Sequence, residues 1–141
     1  MALSGSQGPA PGPAEPSAGL NGVRILVVED SWHIGQALAE LLQLMGAEVI
    51  GPAATTTRAL SLLEERSPHA AIVDFTLRDG ERADPLINRL HAQGVPIVVI
   101  SGNEALPPQT VKAATAVLSK PFSDEQLLAI LQRALAPGMA P

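Results

Sequence analysis

Five side chains in this chain have types and spacing that could do chemistry together: Glu29, Asp30, Asp74, Ser101 and Lys120. Each stands at or just past the end of a short apolar run. Ile25-Leu26-Val27-Val28 precedes the acid pair, Ala70-Ala71-Ile72-Val73 precedes Asp74, Pro96-Ile97-Val98-Val99-Ile100 precedes Ser101, and Ala116-Val117-Leu118 comes shortly before Lys120. If these runs are strands of one open parallel sheet with right-handed crossovers, ligands bind beyond their carboxyl ends, where all five groups converge. Three carboxylates held together repel one another and have raised pKa values unless a cation neutralises them. An all-oxygen set with water completing the shell suits Mg²⁺, which is usually held by one or two carboxylates plus substrate phosphate oxygens. Lys120 adds a point positive charge for an anion and Ser101 a hydroxyl donor. The set therefore has the parts to stabilise a transferring phosphoryl group electrostatically.

The elements that must position these groups follow from residue 23 onward, where apolar runs alternate with helical periodicity, the pattern of a parallel sheet covered on both faces. After the first strand, Ile34, Ala37, Leu38, Leu41, Leu42 and Met45 recur at helical spacing and Gly46 stops the helix. Ala47-Glu48-Val49-Ile50 predicts the second strand, and Thr55 opens a helix through Leu60 and Leu63 that Pro68 ends. Ala83, Leu86, Ile87 and Leu90 form the next apolar stripe. Between Gly102 and Thr115 only Val111 and a few alanines suggest a helix, and Pro107-Pro108 forbid an earlier start, so a short or irregular fourth helix is expected. A capping box, Ser123 to Gln126, opens the last helix, which presents Leu127, Ile130, Leu131 and Ala134 to the core.

A chain of 141 residues has room for one ordinary domain. Residues 1–22 are Pro, Gly, Ala and Ser with four prolines from Pro9 to Pro16, and are expected to form a disordered tail rather than a docking ligand, since Glu15 is their sole charge. The expected division is tail 1–22, domain 23–136 and a C-terminal tail 137–141. With one Trp, two Phe and no Tyr, the core must be aliphatic. A net charge of -5 without basic clusters argues against nucleic acid as a partner. The chain has no cysteine for a disulfide framework, no secretory leader pattern, and no apolar stretch near the roughly 18 residues of a membrane span. A cytoplasmic protein without a membrane partner is the expectation.

The motifs Val27-Val28-Glu29-Asp30, Ile72-Val73-Asp74-Phe75, Ile100-Ser101-Gly102 and Ser119-Lys120-Pro121-Phe122 resemble those of the receiver domains of two-component response regulators, in order and each at a strand end. The resemblance covers residues 23 to about 136. It implies an α/β, flavodoxin-like, doubly wound sheet of five parallel strands in order 2-1-3-4-5, the order for which a chemotaxis receiver is a standard example. It implies that Asp74 accepts a phosphoryl group from the phosphohistidine of a sensor histidine kinase or phosphotransfer protein. It further implies that Glu29, Asp30, Asp74 and the backbone carbonyl of Thr76 hold Mg²⁺, that Lys120 and Ser101 contact the phosphoryl group, and that small Gly102 leaves the acceptor accessible. The family's Lys-Pro bond is usually cis, which makes Lys120-Pro121 a candidate. A domain of this kind turns over no external substrate as an enzyme; it catalyses only its own phosphorylation and dephosphorylation, and with no effector domain encoded it is expected to stand alone and signal to an unknown downstream protein.

The sequence departs from the family pattern in several places. The strand-five position that commonly carries a switching aromatic is Val117, which has no ring to relocate. Residues 101–120 are somewhat shorter than usual, similar to a subgroup of single-domain receivers with a reduced fourth helix, and phosphorylation is expected to order 102–115 and change a protein-binding face. Thr76, two positions past Asp74, is a position for tuning hydrolysis. Blander readings stand beside these: Asp30 could cap the first helix, Asp79 and Asp84 are loop and capping residues, Trp32 is either a neighbour of the site or an exposed first-turn residue, and His33, His69 and His91 are ordinary solvated side chains. Two other functions compete: a receiver-like adaptor that is never phosphorylated, and a small phosphatase with an aspartyl nucleophile. The phosphatase lacks a second aspartate, since Thr76 stands where it is needed.

Overall fold

A computed structural model describes residues 19–75, 77, 83–102 and 105–136. Five strands, β1 (Arg24–Val28), β2 (Glu48–Ala53), β3 (Ala70–Asp74), β4 (Ile97–Ser101) and β5 (Ala116–Ser119), alternate with helices α1 (Trp32–Leu44), α2 (Thr56–Glu65), α3 (Asp84–Ala92), α4 (Pro108–Ala113) and α5 (Asp124–Leu135). They build one sheet in the order β2-β1-β3-β4-β5, with every neighbouring pair parallel. This is the flavodoxin-like arrangement expected from the motifs.

Because side chains alternate across a strand, β1 sends Leu26 and Val28 to one face and Ile25 and Val27 to the other, and all four are buried. The first face packs on Ala59 and Leu63 of α2, on Leu86, Ile87 and Leu90 of α3, and on Ala113 of α4. The second packs on Leu38 and Leu42 of α1 and on Leu127 and Leu131 of α5. Burial on both faces explains why the strands read as continuous apolar runs. Helices α2 and α5 start where the sequence places their caps. Thr55 Oγ1 accepts from the Arg58 amide at 3.0 Å, and Ser123 and Gln126 exchange both bonds of the capping box. Asp84 is not a cap: Ala83 holds that position without a side-chain bond, and Asp84 is the first helical residue.

Three elements differ from expectation. Strand β2 begins at Glu48 rather than Ala47 and continues past Ile50 through Gly51-Pro52 to Ala53. Helix α4 has six residues and lies against α3, with Thr110 and Ala113 buried, so it is short but already formed. Residues 19–22, assigned by composition to the tail, belong to the folded unit: Leu20 is fully buried in the α1–α5 core and its carbonyl accepts from the Val23 amide at 3.0 Å. The remainder of the expected tail, residues 1–18, lies outside the described residues, as do 137–141. Among the described residues no helix is long and apolar enough to cross a membrane.

Candidate functional site

The carboxyl ends of β1, β3, β4 and β5 meet at one edge of the sheet. Asp74 is the last residue of β3 and is 3% exposed; Ile100 of β4 stands opposite it in register and accepts the amide of Phe75 at 2.9 Å. Glu29 follows β1 directly; its amide donates to the carbonyl of Ala53 at 2.9 Å, which extends the β1–β2 ladder by one residue into the site. Asp30 is half-buried beside it. Carboxylate oxygens of Glu29, Asp30 and Asp74 lie within 4.8 Å of one another, close enough to share a single ion.

Lys120 enters from the loop after β5. Its amide donates to the carbonyl of Ser101 at 2.9 Å, and its Nζ donates to Asp74 Oδ2 at 3.0 Å. Burial works against the ammonium, but the hydrogen bond and charge of Asp74, with Glu29 and Asp30 adding, outweigh it and hold the lysine above its ordinary value. The Lys120-Pro121 bond is cis, as expected, and Gly51-Pro52 is cis as well.

Glu29 is the electrostatically costly member. Burial pushes its carboxyl from 4.5 up to about 7; the Ser31 amide opposes this, the charge of Asp74 and the adjoining Asp30 carboxyl add to it, and Lys120 offsets part. One oxygen, Oε2, accepts from the Ser31 amide at 3.1 Å. The other, Oε1, is buried, and no donor among the described residues reaches it. A buried oxygen left without a donor beside two further carboxylates is what a hard cation would satisfy. The donor set is entirely oxygen and suits Mg²⁺.

Ser101, last in β4, is buried, with its hydroxyl donating to the carbonyl of Gly102 at 3.3 Å. Gly102 is half-exposed next to it. Val117 pairs with Val99 on the edge strand and is 40% exposed, so its small side chain faces solvent rather than the core. Thr76 and Asp79 lie outside the described residues. The structure thus brings Glu29, Asp30, Asp74, Ser101 and Lys120 to one edge and leaves Val117 on the outer rim of β5.

The sequence matches the family described as the response regulator receiver domain over residues 25–132. The chain belongs to that family. Its receiver is 30% identical over 116 residues to the transcriptional regulatory protein PdtaR of Mycobacterium tuberculosis, an alignment covering 80% of this chain and 57% of PdtaR. The chain therefore spans little more than half the length of that curated relative. Protein PilG of Pseudomonas aeruginosa is 28% identical over 127 residues, covering 86% of this chain and 93% of PilG. Among solved structures, a CheY-like response regulator receiver domain from Methylobacillus flagellatus superposes with a TM-score of 0.70 at 26% identity, over 82% of this chain and 98% of the other. Receivers of this family are parts of two-component signalling and partner histidine kinases, and they are not conventional enzymes.

Two contributors to the receiver's site were missed from sequence. Ser31 is the N-cap of α1, its Oγ accepting from the Ile34 amide at 3.4 Å, and its own amide holds Glu29. The signal was present, since a serine before a helical stripe is a standard cap, but the adjacent Asp30 drew that reading; the capping alternative for Asp30 is thereby replaced. The Ala53 carbonyl carried no sequence signal. Trp32 is 70% exposed in the first turn of α1, its ring edge-on to His33 at 5.2 Å. His33 and His91 are exposed. His69 is more than a solvated side chain: its Nδ1 accepts the Arg24 amide at 2.9 Å and its amide donates to the Arg24 carbonyl at 2.8 Å, closing the start of β1.

Proposed function

We propose that this receiver accepts a phosphoryl group on Asp74 in a Mg²⁺-dependent reaction and signals through protein contacts. The observation that carries the reading is the Asp74 carboxylate paired with Lys120 Nζ at 3.0 Å inside a cluster of three acids. In the transfer, a carboxylate oxygen of Asp74 forms a bond to phosphorus as the phosphorus–nitrogen bond of a phosphohistidine breaks and the imidazole leaves. The donor is a sensor histidine kinase or a phosphotransfer protein. Bound by Glu29, Asp30, Asp74 and the Thr76 carbonyl, Mg²⁺ would neutralise negative charge on the acids and on the incoming phosphoryl oxygens. Lys120, fixed through its own amide to Ser101, orients one oxygen of Asp74 and pairs with the phosphoryl group. Ser101, small and at the strand end, donates its hydroxyl to a phosphoryl oxygen after transfer, and Gly102 keeps the approach open.

The test is direct. Incubated with Mg²⁺ and acetyl phosphate, the intact protein gains the mass of one phosphoryl group, and Asp74→Asn does not. A protein that stays unmodified with this donor and with a histidine kinase supports the second reading, a receiver-like adaptor that works without phosphate. One observation favours that reading: Val117 is a small exposed residue where the aromatic relay would need a ring.

A further inference from the structure

The β1–β2 ladder contains an irregularity that ends at the site. Arg24, Ile25 and Leu26 pair in turn with Glu48, Val49 and Ile50, but Val28 pairs with Ala53 rather than Pro52, so β2 carries one extra residue. Such bulges re-aim a strand and concentrate beside functional sites. Gly51 makes this one possible: its φ is +96°, and a Cβ there would stand 2.7 Å from the Ala53 nitrogen and 3.0 Å from the Val27 carbonyl. The extra residue brings the Ala53 carbonyl opposite Glu29, whose amide it accepts at 2.9 Å.

The same bulge seats Pro52 against α1 at Gly35. Glycine is the poorest ordinary residue in a helix interior, and Gly35 is buried there for a reason of space. A Cβ at position 35 would lie 3.1 Å from Pro52 Cβ, 3.5 Å from its Cγ and 3.8 Å from the Glu29 carbonyl oxygen. Gly35 in turn donates its amide to the Ser31 carbonyl at 2.9 Å, and the Ser31 amide holds Glu29 Oε2 at 3.1 Å. Glu29 is thus gripped twice, by its backbone through Ala53 and by its side chain through Ser31, and both grips depend on how closely the first turn of α1 approaches the bulge.

We propose that Gly35 and the Gly51-Pro52 bulge are positioning elements for Glu29, setting how well its carboxylate serves the cation site; the cation part rests on the function proposed above. The test compares Gly35→Ala, Pro52→Gly and the double variant by calorimetric Mg²⁺ titration, thermal melting and amide NMR of the metal-free protein. Gly35→Ala is expected to shift the Glu29 and Ser31 amide resonances and speed exchange of the Ser31 amide. It should weaken Mg²⁺ binding about 10-fold, the lower end of what outer-shell support contributes, while the melting temperature changes little, because alanine's better helix propensity offsets the crowding against Pro52. Pro52→Gly alone should weaken binding several-fold by freeing the turn. In the double variant, where the new methyl fills the space left by the ring, affinity should return toward that of the natural protein.

A folded Gly35→Ala protein with unchanged Ser31 and Glu29 amides and unchanged Mg²⁺ affinity would overturn the proposal. Should that variant fail to fold, Pro52→Gly decides by the same two readouts. Amide shifts in the variants of a protein that binds no Mg²⁺ at all would uphold the positioning and refute the cation site.

Discussion

Glu29→Gln tests the electrostatics of the site without any phosphodonor. In the metal-free protein the Glu29 carboxyl titrates near 7 instead of 4.5, chiefly because burial penalises its charged form. Between those values the native state keeps a proton that the unfolded chain has already released, so stability falls as pH rises through this window and levels off above it. At about 1.36 kcal/mol per unit, the raised value corresponds to a loss of about 3 kcal/mol between pH 4.5 and pH 8. Glutamine cannot ionise, yet its amide oxygen still accepts from Ser31 and its NH₂ offers hydrogen atoms to Asp30 and Asp74. Urea denaturation in EDTA should therefore show Glu29→Gln more stable than the natural protein by up to about 3 kcal/mol at pH 8, with the gap closing toward pH 5. Saturating Mg²⁺ at pH 8 should narrow the difference, because the ion binds more tightly, and so stabilises more, the protein that retains all three carboxylates. Parallel pH profiles for the two proteins in EDTA would refute the claim that Glu29 is held as a costly buried acid.

Lys120→Met should slow acetyl phosphate labelling of Asp74 by about 10²-fold, the size of effect seen when a donor to a developing anion is removed, while tightening Mg²⁺ binding because a competing positive charge is gone; mass spectrometry and calorimetry read the two effects. Leu20→Ala should cost about 2–4 kcal/mol in urea denaturation, since the side chain is fully buried; a change below 0.5 kcal/mol, the ordinary surface scale, would return residues 19–22 to the tail. Ser123→Ala should cost about 1 kcal/mol by removing half of the capping box of α5. Beryllofluoride with Mg²⁺ should raise hydrogen-exchange protection of α4, and identical protection with and without it would separate α4 from the phosphorylated state.

The acids and Ser101 were legible because the central strands, buried on both faces, read as apolar runs, and the first polar residues after each run mark the sheet's edge; Lys120 was legible from its place just past the short run of β5. Helix α1 was legible from its apolar stripe and the Gly46 stop, and α5 from its capping box and stripe. The bulge in β2 was not, since Gly51-Pro52 after Ile50 carries the composition of a turn, and only the pairing with β1 makes it part of a strand. Leu20 was hidden by its company: one apolar residue among glycines, with Pro, Ala and Ser before them, gives no periodicity, and its burial depends on a cleft between α1 and α5 made by distant sequence. His69 failed for the same reason, because its partner Arg24 is 45 residues away. Glu29 was recognised as a ligand candidate, but that one of its oxygens is held by Ser31 depends on the helix start, a local geometry that residue types alone leave open.

The entry of the chain into the fold has a practical consequence. Residues 19–23 join β1 at its amino end, where the Gly22 amide donates to the Gly46 carbonyl at 3.1 Å, whereas the acids sit past its carboxyl end. Five residues of strand at about 3.3 Å each separate the two poles by roughly 17 Å. A tether, dye or solid support attached at residue 19 therefore anchors the molecule from behind and leaves the acidic edge turned toward the solution, which makes that point of entry the natural handle for immobilised kinase-binding measurements.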